Sequence, residues 1–356
     1  MRRSALLTAS AFIGLASIVA AGTTASASAR TTLAPKVVGA SSFTLNLLLV
    51  PITVDVTTDV AGNLTNAAIN PLTPFLPSAV QPNRVVFQNA PGTGSVVVRA
   101  NHGGQSVTAR TANLSDLFGA VNGWTGDVFG TGDLSTKVTF VVGARSGPPP
   151  VAPDITALTV VKCGADVAMT CVASPTTYGD DEDDNEGTEA MASVKFSLNG
   201  QTRTLRIRVG THTEDGKTEA VVHISLSKIK GALALKDGPG TWTGLLCDGT
   251  TSVTFAYNVA GAVVTVTQPI ANAEVKTNEH GVEVRFTDGP RVRIGRVGED
   301  DSTTVGLSVK YHCPAGIPNV NGATPDPTIV TQGDHGDHGG HGGGDGGGDD
   351  KNKGNG

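Results

Sequence analysis

Three groups of residues have a spacing that chemistry can use. At the C-terminus His335, His338 and His341 recur every three residues, with Asp334 and Asp337 between them. Imidazole and carboxylate are ligands for borderline divalent ions such as Zn2+ and Ni2+, and a flexible tract wraps an ion without a preformed site. The same composition also makes a plain solubilising tail. Affinity in such a tract is modest and is lost as the histidines protonate near a pKa of about 6.5. A second group is the acidic run from Asp180 to Glu189, where crowded carboxylates suggest Ca2+. Counted from Asp181, Asp183 and Asn185 fit the alternating positions of a calcium loop, but the glycine arrives one residue late at Gly187 and position twelve is Ala192. The run therefore reads first as an acidic loop and only then as a weak ion site. The third group is arginine. Arg206 and Arg208 share one face of an extended segment by the period of two, as do Arg291 and Arg293. Such stripes can receive a carboxylated or sulfated polymer. The competing expectation is a solvated sheet face, balanced by nearby glutamates and guarding strand edges.

Nucleophilic and metal-hydrolytic motifs are missing. G-x-S-x-G, H-E-x-x-H, G-x-G-x-x-G and a Walker loop do not occur. His102-Gly103-Gly104 resembles an oxyanion-loop tripeptide only superficially, without a nucleophile elbow beside it, and His212, His223, His280 and His312 are scattered. The expectation is a non-catalytic protein without a small-molecule substrate. Aromatic residues number 15, Trp124 and Trp242 being the only tryptophans, which is a thin supply for stacking on sugars. Each tryptophan is expected to plug the end of a folded unit. The sequons at Asn63 and Asn113 matter only in a host that glycosylates them.

The four cysteines, Cys163, Cys171, Cys247 and Cys313, all lie in the second half. Their even number in an exported chain makes two bridges the default, and three pairings are open. Cys163–Cys171 with Cys247–Cys313 is favoured, because the first pair flanks a tight Gly164-Ala165-Asp166 turn and the other two cysteines each sit near a strand end. Structural zinc needs a closer pair than the C-x7-C found here.

Export itself is read from residues 1–29. Met1-Arg2-Arg3 is a basic head, Ala5 to Ala21 is apolar, and Ala25-Ser26-Ala27-Ser28-Ala29 offers overlapping small-residue cleavage sites, the order of a secretory signal peptide. No later segment has the length of continuous apolar sequence that a membrane helix needs. The chain is acidic, with a formal net charge of −6, and its basic residues cluster weakly, which argues against nucleic acid as a partner.

The elements that must position these residues are strands. Phe43, Leu45 and Leu47 alternate, as do Ile52, Val54 and Val56, then Val194, Phe196 and Leu198, then Leu205, Ile207 and Val209. Asn199-Gly200 between the last two runs is a strong hairpin signal. Further alternating runs lie at 282–286, 292–297 and 305–311. A short helix is expected from Leu114 to Val121, and a long loop over 62–83, where four prolines fall. Trp124-Thr125-Gly126 followed by Val138-Thr139-Phe140 is echoed by Trp242-Thr243-Gly244 followed by Val253-Thr254-Phe255. Gly147 to Pro153 is proline-rich and reads as a stiff linker. The expected organisation is all-β: a signal peptide at 1–29, two β-sandwich domains (immunoglobulin-like or similar) at 30–147 and 154–314, the Pro-rich linker at 148–153, and a disordered Gly/His/Asp-rich tail at 315–356. The expected role is that of a secreted or cell-surface structural or adhesive protein. Its partner would be a cell-envelope component, an extracellular protein or another copy of itself through strand edges. Binding of divalent metal through the tail or the acidic loop is the alternative, and a secreted enzyme without a recognisable motif comes third.

Overall fold

The computed structural model describes residues 31–33, 39–145, 152–180, 188–214, 217–297 and 304–321. The signal segment at 1–29, most of the Pro-rich run, Asp181 and Asp183, and the histidine tail lie outside the described residues. No helix among those described is long and apolar enough to cross a membrane.

The protein is nearly all β and is built from several antiparallel sheets. The described chain begins with β1 (Thr31–Leu33), then runs up and down through β2 (Gly39–Leu47), β3 (Val50–Thr58) and β4 (Leu64–Asn70). A second meander follows: β5 (Phe75–Gln81), β6 (Arg84–Asn89), β7 (Gly94–Asn101) and β8 (Gly104–Thr111). After a single 3-10 turn at Leu114–Leu117 come β9 (Val121–Gly126), β10 (Thr136–Ala144) and β11 (Pro153–Lys162). A third meander comprises β12 (Thr170–Asp180), β13 (Thr188–Leu198), β14 (Gln201–Glu214) and β15 (Lys217–Leu226). The remainder is β16 (Leu233–Ala234), β17 (Gly238–Leu245), β18 (Ser252–Ala260), β19 (Val263–Val266), β20 (Ala273–Asn278), β21 (Gly281–Phe286), β22 (Pro290–Arg296) and β23 (Val305–Tyr311).

These strands form four sheets. A six-stranded sheet has the order β11-β10-β9-β2-β3-β4, and an eight-stranded sheet the order β12-β13-β14-β15-β8-β7-β6-β5. Their inner faces share one core, with Phe43, Ile52, Trp124 and Phe140 from the first sheet and Phe87, Phe196 and Ile207 from the second. A four-stranded sheet, β1-β17-β18-β19, and a five-stranded sheet, β16-β23-β22-β21-β20, enclose a second core around Trp242, Phe255, Phe286 and Val292. Each core is bridged by the tryptophan of a Trp-Thr-Gly strand. Trp124 meets Phe196 across the first core at 5.9 Å between ring centroids, and Trp242 meets Phe286 across the second at 5.9 Å. The echoed tripeptides are thus paired hairpin strands in both places, with the register displaced: Trp124 stands opposite Val138, Trp242 opposite Phe255. In both, the following glycine is needed because a Cβ would lie within 2.7 Å (Gly126) or 2.2 Å (Gly244) of the indole. Both tryptophans are buried in the cores.

Four expectations need correction. The Pro-rich run does not separate two folded units: β10 and β11 on either side of it are antiparallel neighbours, with Ala144 opposite Pro153. Pro153 opens an edge strand, where a missing N–H costs no ladder bond. Strands from the two expected domains also share the eight-stranded sheet, through β8 against β15. The passage from one core to the other falls between β15 and β17. Residues 62–83 are two strands rather than a loop, since Pro71, Pro74 and Pro82 sit in turns and Pro77 lies in an edge strand. The expected helix is only the 3-10 turn, and Val121 already belongs to β9. Finally, the segment expected to be disordered from 315 is seated through Asn321. Asn319 bridges Asn66 of β4, the Asn321 side-chain amide donates to the Ile69 carbonyl at 3.0 Å, and Val320 is buried.

The two ends of the described chain therefore cross. β1 pairs with β17, in the only parallel pairing among the named strands, so the start of the described chain joins the four-stranded sheet. Residues 319–321 return to β4 of the first. Val60, Ala61 and Tyr311 pack at the junction, where the Asn63 side chain donates to the Cys313 carbonyl at 3.3 Å. Asn63 is buried by this arrangement, which removes its sequon from enzymatic access in the folded protein.

Candidate binding faces

β14 shows how the arginines are placed. Leu205, Ile207 and Val209 alternate into the core, so Arg206 and Arg208 stand on the outer face of the eight-stranded sheet. Register then decides their neighbours. Arg206 lies opposite Ser193 on β13 and Ser225 on β15; Ser225 lies opposite Ser106 on β8, Ser106 opposite Arg99 on β7, and Arg99 opposite Arg84 on β6. At the two edges the line continues to Ser174 and Gln81. One cross-strand row of hydroxyl, guanidinium and amide groups thus spans all eight strands, about 34 Å at about 4.8 Å per strand. Two residues along, Arg208 faces His223, whose Nδ1 is 2.8 Å from the Thr108 hydroxyl. Among the described outward side chains of β6–β8 and β13–β15, seven are Lys or Arg, and Glu189 and Glu219 are the carboxylates. Glu219 approaches Arg110 at 3.9 Å.

Arg291 and Arg293 lie elsewhere, on the outer face of the five-stranded sheet, so the two arginine pairs do not form one stripe. There Glu283 of β21 sits opposite Arg293 and beside Arg285 and Arg291. Arg285 Nε donates to its Oε1; Arg291 Nε is 3.7 Å from that same oxygen and Arg293 Nε 3.9 Å from Oε2. This donation, reinforced by the charges of all three arginines, holds the Glu283 carboxyl below the usual carboxylate range. Two depressions flank the cluster, one of about 150 Å³ beside His280 and Ser308, the other of about 270 Å³ beside Asp288 and His312. Both are smaller than the ~300–1,000 Å³ of small-molecule sites.

Arg203, also on β14, points inward and is buried. Its guanidinium donates to the Ser227 and Val128 carbonyls, each at 2.6 Å, and to the Gly103 carbonyl. Burial lowers its pKa to about 10, partly offset by the charge of Asp127. Three separate loops are tied together by this one side chain, so its role is to hold the end of the sheet rather than to meet a ligand.

The cysteines pair as favoured, Cys163 with Cys171 and Cys247 with Cys313. The proposed metal ligands His335, His338, His341, Asp334, Asp337, Asp181 and Asp183 fall outside the described residues. The edges of the eight-stranded sheet are guarded: β5 carries Pro77 and β12 carries Pro175, each beside a register shift, and β4 of the six-stranded sheet is covered by residues 319–321. Proline and irregular register work against edge-to-edge pairing, so addition of a further strand is disfavoured there. Sequence reasoning missed Arg84, Arg99 and Arg110. Arg99 stands in the polar phase of a Val-rich alternating run and Arg110 in that of the run ending at Thr111, which was legible, but nothing local showed that β8 would pair with β15. No family model, characterised protein or solved structure matches this chain.

Proposed function

We propose that the protein acts outside the cytoplasm as a non-catalytic structural or adhesive protein, its two sheet pairs forming two β-sandwich units of immunoglobulin-like or similar kind. The observation that carries this reading is a double crossing of the described chain, β1 onto the four-stranded sheet and residues 319–321 onto β4 of the six-stranded sheet. The two cores are thus tied together at both crossings, as suits a component held at a surface. Cys247–Cys313 fixes the start of the return segment, and disulfides of this kind persist where surroundings are oxidising. The signal-like residues 1–29 and the guarded edges fit an exported protein that meets partners through sheet faces. A cell-envelope component is the partner this reading favours. The test is fractionation of a host expressing the full chain, followed by cosedimentation of the oxidised product with isolated cell envelope. Recovery outside the cytoplasm, with both bridges formed and the protein pelleting with envelope, is expected. Retention inside the cell with free thiols, or oxidised protein that stays in the supernatant, overturns the reading.

A further inference from the structure

We infer that the outer face of the eight-stranded sheet binds a linear anionic polysaccharide, one bearing carboxylate or sulfate groups, laid across the strands along the Arg206–Ser225–Ser106–Arg99–Arg84 row. The inference rests on the surface role above and names its ligand. Three features of the face carry it.

The first is continuity. The row runs without a carboxylate from Ser174 at one edge to Gln81 at the other, because the register of six successive pairings and a seventh at the rim brings polar residues into line. A polymer crossing the strands meets the guanidinium of Arg206, two serine hydroxyls, then the guanidinia of Arg99 and Arg84. Guanidinium forks match carboxylate and sulfate oxygens in pairs, and hydroxyls serve the sugar's own hydroxyl groups in either direction. Arg206 and Arg99 are three strands apart, about 14 Å, which separates charged stations along a chain rather than converging them on one small anion.

The second is charge. Arg84 and Arg99 stand directly opposite each other in the ladder, which sets two guanidinium side chains next to each other on the row. Arg110, Arg208 and Lys195 flank the row on its two sides, while Glu189 and Glu219 lie toward one end of the face. The face is thus cationic although the chain as a whole carries −6. Attraction is accordingly local and steeply screened by salt, the Debye length falling from about 10 Å at 0.1 M to about 3 Å at 1 M.

The third separates sugar from nucleic acid. Among the described outward positions of β6–β8 and β13–β15 there is no Trp, Tyr or Phe, and the imidazoles of His212 and His223 lie to one side of the row, so unpaired bases laid along it would find no broad aromatic platform. Serine and threonine hydroxyls take that place, at Ser193, Ser225, Ser106, Thr108 and Thr204.

The test uses the oxidised full chain and measures binding to dextran sulfate and to polygalacturonate by calorimetry at low and high salt. Neutral dextran and poly(dT) serve as comparators. Wild type should bind at least one of the two charged polysaccharides saturably, weaken as salt rises, and favour it over poly(dT) of equal charge. The double variant R99Q/R206Q should lose about tenfold or more in affinity. R99K/R206K, which keeps both charges, should lose only a few-fold, and R291Q/R293Q on the other sheet should bind as wild type. Thermal unfolding of each variant separates loss of the site from loss of the fold. Equal binding by R99Q/R206Q and wild type, equal loss in R291Q/R293Q, preference for poly(dT), or no binding to either charged polysaccharide overturns the site. The surface role fails by a different result, since envelope cosedimentation does not depend on which polymer is offered; a protein that pellets with envelope but ignores both polysaccharides refutes the ligand and leaves the role standing.

Discussion

The outer faces of the eight-stranded and five-stranded sheets begin from the same sequence signal, arginines two residues apart on a strand, and end with different neighbours across the ladder. On the five-stranded sheet the neighbouring strand places Glu283 among Arg285, Arg291 and Arg293, and the cluster neutralises much of its own charge. On the eight-stranded sheet the neighbours of Arg206 are serines, and the next charges along the row are Arg99 and Arg84. An arginine stripe therefore carries no functional meaning until the pairing of its strand is known. Register turns one stripe into an ion cluster around a single carboxylate and sets the other in a row of arginines and hydroxyls that spans the sheet.

The largest effect is expected from breaking the support beneath the cationic face. Arg203→Ala removes a buried guanidinium and strips donors from the Ser227, Val128 and Gly103 carbonyls, at a cost of about 3–5 kcal/mol in urea unfolding. Arg206→Ala, three residues along the same strand but outward, should change stability by no more than about 0.5 kcal/mol. Equal costs for the two would contradict the division of β14 into a structural and a binding side.

Next come the disulfides. Cys247–Cys313 closes a loop with a sequence separation of 66 in the part of the chain that holds the five-stranded sheet, and Cys163–Cys171 one of 8 on the core side of the edge strand β12. On loop-closure entropy, Cys247→Ser with Cys313→Ser should cost about 4 kcal/mol, and the Cys163/Cys171 pair of serines about 2.5 kcal/mol. Chemical unfolding of the two double variants tests the order.

A smaller effect sharpens the contrast directly. Glu283→Gln leaves three arginines without their shared carboxylate, so the five-stranded face should gain a few-fold in affinity for dextran sulfate when tested in an R99Q/R206Q background. No gain would mean that Glu283 is not what silences that face. The smallest effect is on pH. Because the folded-state pKa of Glu283 is depressed, its contribution is present above the unfolded value of about 4.3 and fades as pH falls through the lower folded value. Melting temperature should consequently drop more between pH 5 and pH 3 in wild type than in Glu283→Gln.

Much of the local structure was legible in the sequence. Alternation fixed the inward and outward phase of β13, β14, β21 and β22, and Asn199-Gly200, with φ of 46° and 84°, makes the left-handed turn that joins β13 to β14. The disulfide pairs followed from a tight turn and from strand ends. What stayed hidden is non-local. Period-two patterning says which way a side chain points but not which strand lies beside it, so Arg84 and Arg99 could not be joined to Arg206 across more than a hundred residues. Prolines misled for a related reason: Pro153 and Pro77 mark edge strands, which tolerate a missing donor, where composition alone suggested a linker and a loop. The short segment through Asn321 has no alternating run, and its anchorage combines one buried side chain, Val320, with backbone and amide hydrogen bonds to β4 that no hydropathy pattern records.

The most direct test of the contrast between the two faces is arginine footprinting of the oxidised full chain with phenylglyoxal, read by mass spectrometry with and without dextran sulfate. Protection of Arg84, Arg99 and Arg206 by the polymer, with unchanged labelling of Arg285, Arg291 and Arg293, is the predicted result. Protection on the five-stranded face instead, or equal labelling of all six with polymer present, would contradict it.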